Sequence, residues 1–219
     1  MLASNIAIKG FPMLHLEDTA AFVLQCMENF DVQHLPIVKD DYFIGLISKE
    51  DVLTIDSAQT IASLSDQMLR IGISGKAHFL MALDLYAKHH LSLLPVLNEQ
   101  QECIGVIPQK NLNELLAQFL GVAQQGAILV FSVLPYQYSL AEMSRLVETN
   151  NAQIIQLNTH FDDATGALII TIKINREEAG AIIATFQRYN YQVLHYFGNT
   201  PLNDDIEEHY HHLMNYLDV

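Results

Sequence analysis

The segment HLPIVKDDYFIGLISKED, from His34 to Asp51, is followed about sixty residues later by a near copy of itself. The copy reads LLPVLNEQQECIGVIPQKN and runs from Leu93 to Asn111. In each copy, an apolar run that contains a proline is joined by a polar turn to a second apolar run that contains a glycine. Two short apolar runs separated by such a turn predict a β-hairpin, so the chain is expected to contain the same hairpin twice.

Helical patterns flank both hairpins. Apolar residues recur at helical spacing before each one, over residues 19–30 and residues 77–89. A further helix is predicted after each hairpin, starting at Lys49 in the first copy and at Gln109 in the second. A helix–strand–strand–helix unit is too small to bury its own apolar face, but two stacked units can bury it together. We therefore predict one domain over residues 1–120, with repeats over about 1–60 and 61–120.

Each repeat resembles the cystathionine-β-synthase (CBS) domain. The resemblance rests on the apolar–Pro–apolar strand, on Gly45 and Gly105, and on the Ser–x–x–Asp sequence from Ser48 to Asp51. It covers residues 1–120 as a tandem pair of βαββα-type repeats. CBS pairs are regulatory modules, and many bind AMP, ATP or S-adenosylmethionine in the cleft between repeats and dimerise face to face. The resemblance therefore implies a nucleotide sensor that forms a homodimer.

The candidate binding residues follow the first hairpin. Ser48 and Asp51 are three residues apart, so a hydroxyl and a carboxylate can point into one cleft, and a carboxylate suits the two hydroxyls of a ribose. The same pair equally fits a helix cap and a favourable charge in the first helical turn. The resemblance implies that Ser48 and Asp51 hold the ribose and that the strand with Leu35 and Pro36 lies beside the base. Lys49 either contacts the phosphate or is simply solvated.

The second repeat changes these residues. Pro108 stands where the hydroxyl is expected, and Asn111 stands where the carboxylate is expected. Proline has no side-chain donor and no backbone N–H, and asparagine carries no charge. We therefore predict at most one adenine nucleotide per chain, held by the first repeat.

The rest of the chain predicts a second small domain. GVAQQG at 121–126 is a candidate linker, and residues 127–198 show the order βαββαβ of a ferredoxin-like fold. This order and LAEMSRLVETNNAQI, at 140–154, resemble the ACT domain, a module that often binds amino acids and pairs sheet to sheet. Tyr136 follows Pro135 where that family usually has a glycine, so we expect pairing rather than amino-acid binding. The fold class as a whole is α+β.

Residues 199–219 predict a helical tail with a partly apolar face. Its HYHH sequence, at 209–212, is interpreted as surface histidines rather than as a metal site. His34 is likewise interpreted as a packing or surface residue. The cysteines Cys26 and Cys103 lie in apolar surroundings and are read as small hydrophobic residues rather than as a disulfide.

The composition of the chain disfavours several classes of function. The net charge of −14 disfavours nucleic acid and anionic membranes as partners, and no apolar run reaches the length of a membrane span. We found no catalytic motif, so we predict a cytoplasmic regulatory homodimer that is not an enzyme, that carries no metal or cofactor, and that acts on a separate, unknown regulated protein. The alternative is a structural dimerisation or partner-docking protein whose cleft binds no ligand.

Overall fold

The computed structural model describes residues 1–198 of the chain. It divides into two compact units, one over Met1–Leu115 and a second that begins at Leu116. Both units mix α-helices and β-strands. The predicted tail helix over 199–219, with its HYHH sequence, lies outside the described residues.

The first unit contains the two helix–strand–strand–helix repeats that the sequence predicts. Its elements are, in chain order, α1 (Ala3–Ile6), α2 (Ala20–Phe30), β1 (His34–Lys39), β2 (Tyr42–Ser48), α3 (Lys49–Val52), β3 (Ile73–Ser74), α4 (Leu80–His89), β4 (Leu93–Leu97), β5 (Cys103–Pro108) and α5 (Leu112–Phe119), with 3-10 turns at Ile61–Leu64 and Gln109–Asn111. The helix α5 crosses the division between the units.

The helix that opens the second repeat begins later than predicted. Helical spacing suggested a start at residue 77, but α4 begins at Leu80. The N-terminal segment of the chain explains the difference: the backbone N–H of Ala3 donates to the carbonyl of Ala77, and the N–H of Phe79 donates to the carbonyl of Met1. These backbone groups bond to another segment and not along the helix, so the helix starts after them.

Both predicted hairpins are present. In the first, β1 and β2 pair antiparallel from His34 opposite Ser48 to Lys39 opposite Tyr42. Its turn residues Asp40 and Asp41 both have positive φ values, of 50° and 69°. Two such residues in a two-residue loop are typical of a type I′ turn, whose twist matches that of the strands.

The repeats exchange edge segments. Leu69, which precedes the helix of the second repeat, pairs with Leu46 of β2, with N–H···O distances of 2.8 and 2.9 Å. Ile8, which precedes the helix of the first repeat, pairs in the same way with Val106 of β5, at 2.8 and 3.1 Å. Each hairpin is therefore extended by the segment that leads into the first long helix of the other repeat. Neither repeat has a complete sheet without its neighbour.

The two repeat glycines lie where these segments approach. A Cβ atom added to Gly45 would lie 2.9 Å from Cβ of Met68, and one added to Gly105 would lie 2.9 Å from the carbonyl oxygen of Ile8. Side chains at these positions would force the exchanged segments away from the strands. The glycine of each hairpin is therefore explained by the contact between repeats.

One apolar core serves both repeats. Val23 and Met27 of α2 and Leu35 of β1 belong to the same buried cluster as Tyr86 of α4 and Leu94 of β4. Two units of about sixty residues thus bury their apolar faces in common, which is how a chain segment this short obtains a sizeable core.

The second unit is a four-stranded antiparallel sheet with two helices. Its elements are β6 (Ile128–Val133), α6 (Leu140–Glu148), β7 (Ile154–Asp162), β8 (Ala167–Ile174), α7 (Gly180–Arg188) and β9 (Gln192–Phe197), with a 3-10 turn at Pro135–Gln137. The strands lie in the order β7-β8-β6-β9. The element order is the predicted one, and Ser139 caps α6 by accepting a hydrogen bond from the N–H of Glu142 at 3.3 Å.

Helices and strands of this unit share one core. Residues of β6 alternate between half-buried and buried, which places Leu129, Phe131 and Val133 against the helices. The ring of Phe131 contacts that of Phe186 of α7 at 4.5 Å between centroids, and Tyr191 meets Phe186 edge-on at 5.4 Å. These rings fix the packing of α7 on the sheet.

Candidate functional site

Ser48 and Asp51 come together at the junction of β2 and α3. The Ser48 hydroxyl donates to a carboxylate oxygen of Asp51 at 2.5 Å and accepts from the backbone N–H of Asp51 at 3.1 Å. Both residues are half-buried. The predicted hydroxyl and carboxylate therefore lie side by side, and Ser48 is also the N-cap of α3.

This pair retains the capacity to bind a polyol. An ionised carboxylate has about four acceptor positions on its two oxygens, and the Ser48 hydroxyl uses one of them. Asp51 can thus still accept hydrogen bonds from neighbouring hydroxyls while its bond to Ser48 holds its orientation. A carboxylate held in this way is suited to a ribose diol.

The corresponding place in the second repeat has the same backbone but different chemistry. The N–H of Lys49 donates to the carbonyl of Gln33 at 2.8 Å, and the N–H of Gln109 donates to the carbonyl of Ser92 at the same distance. Pro108, which replaces the serine, is buried, and Asn111 is half-buried. The two sites are equivalent in fold, but only the first has a charged acceptor.

The weaker candidates fit less well. Leu35 has 0% of its surface exposed and Pro36 is buried, so neither side chain is accessible to a base in this structure. Lys49 is half-buried at the start of α3. The helix has only four residues. A helix this short has few aligned peptide dipoles, so its N-terminus offers a phosphate little attraction from a macrodipole.

His34 lies beside the candidate site, although the sequence was interpreted as giving it only a packing or surface role. It is opposite Ser48 in the β1–β2 ladder and it contacts Ser92 of the other repeat. Burial lowers the pKa of His34, against the opposing effects of the Asp51 and Glu50 carboxylates. His34 therefore lies between the candidate site and the neighbouring repeat.

The Ser92 side chain joins the repeats. Its hydroxyl accepts from the backbone N–H groups of Gln33 at 2.8 Å and His34 at 2.9 Å, while the N–H of Ser92 donates to Nδ1 of His34 at 3.2 Å. Nδ1 must therefore be unprotonated in this arrangement. One sequence signal was available: Ser92 is 59 positions after Gln33, which makes the two residues equivalent in the repeats.

Other kinds of site are not found in the described part of the chain. Within residues 1–198, no three His, Cys, Asp or Glu side chains are grouped so as to hold a metal ion. Over the same range, no helix combines the length and apolar character needed to cross a membrane. Cys26 is buried and Cys103 is half-buried, and both are free thiols, as predicted.

A comparison with known protein families identifies the first repeat. The family model of the CBS domain matches residues 3–58, which include Ser48 and Asp51. Residues 3–58 form a CBS domain. This confirms the resemblance for the first repeat.

Solved structures are similar to the chain in fold. A CBS domain pair/ACT domain protein of Thermotoga maritima is 21% identical, with a TM-score of 0.50, over 55% of this chain and 99% of that chain. The CBS domains of a transcriptional regulator from Streptococcus pneumoniae are 14% identical (TM-score 0.47; 52% and 98% covered). CBSX2, solved in complex with AMP, is 16% identical (TM-score 0.47; 54% and 97% covered).

Proposed function

We propose that the protein is a regulatory CBS-pair protein that senses an adenosine-containing ligand such as AMP, ATP or S-adenosylmethionine. The observation that carries this proposal is the Ser48–Asp51 pair, whose hydroxyl and carboxylate lie 2.5 Å apart at the end of a CBS-domain strand. The carboxylate binds the ribose hydroxyls, and Ser48 orients it. Leu35 and Pro36 support the site from within the core, and Lys49 is the nearest candidate for a phosphate contact.

Each chain holds one such ligand. The second repeat offers the uncharged Asn111 and the donor-free Pro108 at the equivalent junction. A hydrogen bond to a charged acceptor contributes about 1.5–3 kcal/mol, which is roughly twice the contribution of a neutral one. This difference favours the first repeat as the occupied site.

Isothermal titration calorimetry with AMP, ATP and S-adenosylmethionine tests the proposal. We expect saturable binding of at least one of them with one site per chain, and we expect GMP to bind no more tightly than AMP. GMP has the same ribose and phosphate as AMP, so it reports how far the base contributes. The absence of binding by all the adenosine compounds would overturn the sensor function.

The second unit is proposed to be an ACT-like domain that supports dimerisation. Its βαββαβ order and its strand order β7-β8-β6-β9 support this assignment. Tyr136, at the position usually held by glycine, is 81% exposed in the loop after β6. A tyrosine there obstructs the close backbone approach that an amino-acid ligand needs, so the unit pairs rather than binds amino acids. The protein has no catalytic activity and regulates a separate partner in the cytoplasm.

A structural protein is the second candidate, and one observation favours it. The bond from the Asp51 N–H to Ser48 is an ordinary N-cap, which explains both residues without any ligand. In that case the two repeats serve only to dimerise or to dock a partner. The calorimetric titration separates the two functions, because only the sensor binds an adenosine compound.

A further inference from the structure

The second unit carries a cavity that the proposed function does not use. It has a volume of about 460 Å³ and lies at the C-terminal ends of α6 and α7. The residues that matter for its chemistry are Arg145, Thr149, Asn150, Thr185, Arg188 and Tyr189.

The charge of this cavity differs from that of the protein. The chain has 25 acidic and only 11 basic side chains, yet two of the basic ones, Arg145 and Arg188, line this one cavity. The cavity lining includes no aspartate or glutamate. Two arginines from different helices therefore line the same cavity, and its lining includes no carboxylate to neutralise them.

Both guanidinium groups are held in place. Nη2 of Arg188 donates to the Thr185 hydroxyl at 3.0 Å, and this hydroxyl in turn donates to the Ala181 carbonyl at 2.8 Å. The guanidinium carbon of Arg145 lies 5.2 Å from the ring centroid of Tyr189. Each guanidinium has five N–H donors, and these contacts use few of them. The remaining donors are available to an anion.

The nearest carboxylate binds Arg145 weakly. Nη2 of Arg145 is 3.9 Å from Glu142, and this pair is partly exposed to solvent. The Glu142 carboxylate also accepts a hydrogen bond from Tyr191 at 2.7 Å. A long, exposed pair of this kind contributes little, so Glu142 competes poorly with an anion that contacts both arginines.

The helix ends account for only part of the arrangement. An arginine in the last turn is favoured by the negative end of the helix dipole, and this applies to Arg145 and to Arg188 separately. It does not require the two arginines to share a cavity. The α6 carbonyl of Leu146 is already bonded by Thr149 at 2.9 Å and by Asn150 at 2.8 Å, which reduces its repulsion of an anion.

We propose that this cavity binds a small oxyanion, namely a phosphate or carboxylate group of a small molecule, between Arg145 and Arg188. Planar guanidinium groups donate paired hydrogen bonds to such groups, and two of them together select for anionic charge. Tyr189, whose ring lies beside Arg145, borders the bound group. All these residues belong to the second unit, so this site is independent of the nucleotide site proposed for the first repeat.

An NMR titration of the full chain tests this proposal with two probes, inorganic phosphate and malonate. We expect saturable shifts of the Arg145 and Arg188 side-chain N–H signals, with a dissociation constant on the order of millimolar for at least one probe. The probe that binds more tightly shows whether the site prefers a phosphate or a carboxylate group. Arg188→Gln and Arg145→Gln should each weaken binding at least about fivefold. Arg176→Gln removes the same charge from an exposed site in the same unit and should change binding less than about twofold.

Two results would overturn the inference. One is the absence of saturable shifts with both probes. The other is an equal loss of affinity in Arg176→Gln, which would mean that the ions respond to net charge alone. Each arginine is replaced in a separate variant. If one variant fails to fold, the affinity of the other still tests the proposal. Neither result bears on nucleotide binding, which the calorimetric titration measures.

Discussion

The hydroxyl of Ser92 in the second repeat accepts a hydrogen bond from the backbone N–H of His34 in the first, at 2.9 Å. His34 is also the ladder partner of Ser48. Because His34 pairs with Ser48, the contact between the repeats lies directly beside the candidate ribose site. Changes at this contact are expected to affect both the stability of the repeat pair and the environment of Ser48 and Asp51.

Replacing Ser92 with alanine should destabilise the first unit. Its hydroxyl is the acceptor for the N–H groups of Gln33 and His34, and the latter is part-buried. An unsatisfied buried donor costs about 1–3 kcal/mol, and water can reach the exposed Gln33 more easily. We expect Ser92→Ala to lower the free energy of unfolding by about 2 kcal/mol, measured by urea denaturation. The exposed Ser65→Ala is the control, and a loss as large in this control would contradict the explanation.

His34 should make stability depend on pH. Burial lowers its pKa in the folded protein, so its contribution is fully present above the ordinary histidine pKa of about 6.5 and is lost as the pH falls below that value. One titrating proton can change the free energy of unfolding by at most about 1.4 kcal/mol per pH unit. In His34→Asn the amide oxygen can replace Nδ1 as an acceptor without titrating. We therefore expect the free energy of unfolding, measured by urea denaturation between about pH 5 and 7, to change less steeply with pH in this variant than in the wild type.

The control for this pH series is His15→Asn, which replaces an exposed histidine of the same unit. The free energy of unfolding of this control should change with pH as steeply as that of the wild type. If His34→Asn keeps the full slope, another group is responsible for the acid sensitivity.

The exchanged segments make one glycine substitution costly. In Gly105→Ala, the new methyl group would lie 2.9 Å from the backbone oxygen of Ile8, which cannot rotate away. Such overpacking typically costs about 1–3 kcal/mol, so the midpoint of thermal unfolding should fall clearly. Gly180→Ala is the matched control, because nothing lies within 4 Å of the added atom. Equal midpoints for the two variants would mean that the segment of Ile8 is not held against β5.

Assembly can be measured directly. Both units belong to types that we propose to pair, so light scattering at micromolar concentration should give a mass of at least twice 24.7 kDa. A chain that stays near 24.7 kDa would contradict the proposed homodimer without affecting the nucleotide site.

Local patterns in the sequence predicted most of the elements. The helix α2 occupies the predicted range, both hairpins pair as expected, and the βαββαβ order of the second unit is present. These features depend on residues close together in the chain, where periodicity and turn chemistry are informative. The proximity of Ser48 and Asp51 was predictable for the same reason, since three residues separate them.

The features that the sequence did not predict depend on distant residues. Ile8 pairs with Val106, and Ser92 contacts His34, although neither pair shares a local motif. Gly45 and Gly105 marked the places of close approach but not the segments that approach them. The short length of α3 was also unexpected, because a favourable cap at Ser48 reports where a helix begins and not where it ends.

The most direct measurement compares the affinities of Asp51→Ala and Asn111→Ala for the adenosine compound that binds the wild type best. Asp51→Ala removes the charged acceptor, and water can re-enter an open site, so we predict a weakening of about 10- to 100-fold, or about 1.4–2.8 kcal/mol. Asn111→Ala should change the affinity by less than about threefold. Both variants should keep the thermal stability of the wild type within a few degrees. If Asn111→Ala abolishes binding while Asp51→Ala leaves it intact, the ligand sits on the second repeat and the proposed site is wrong.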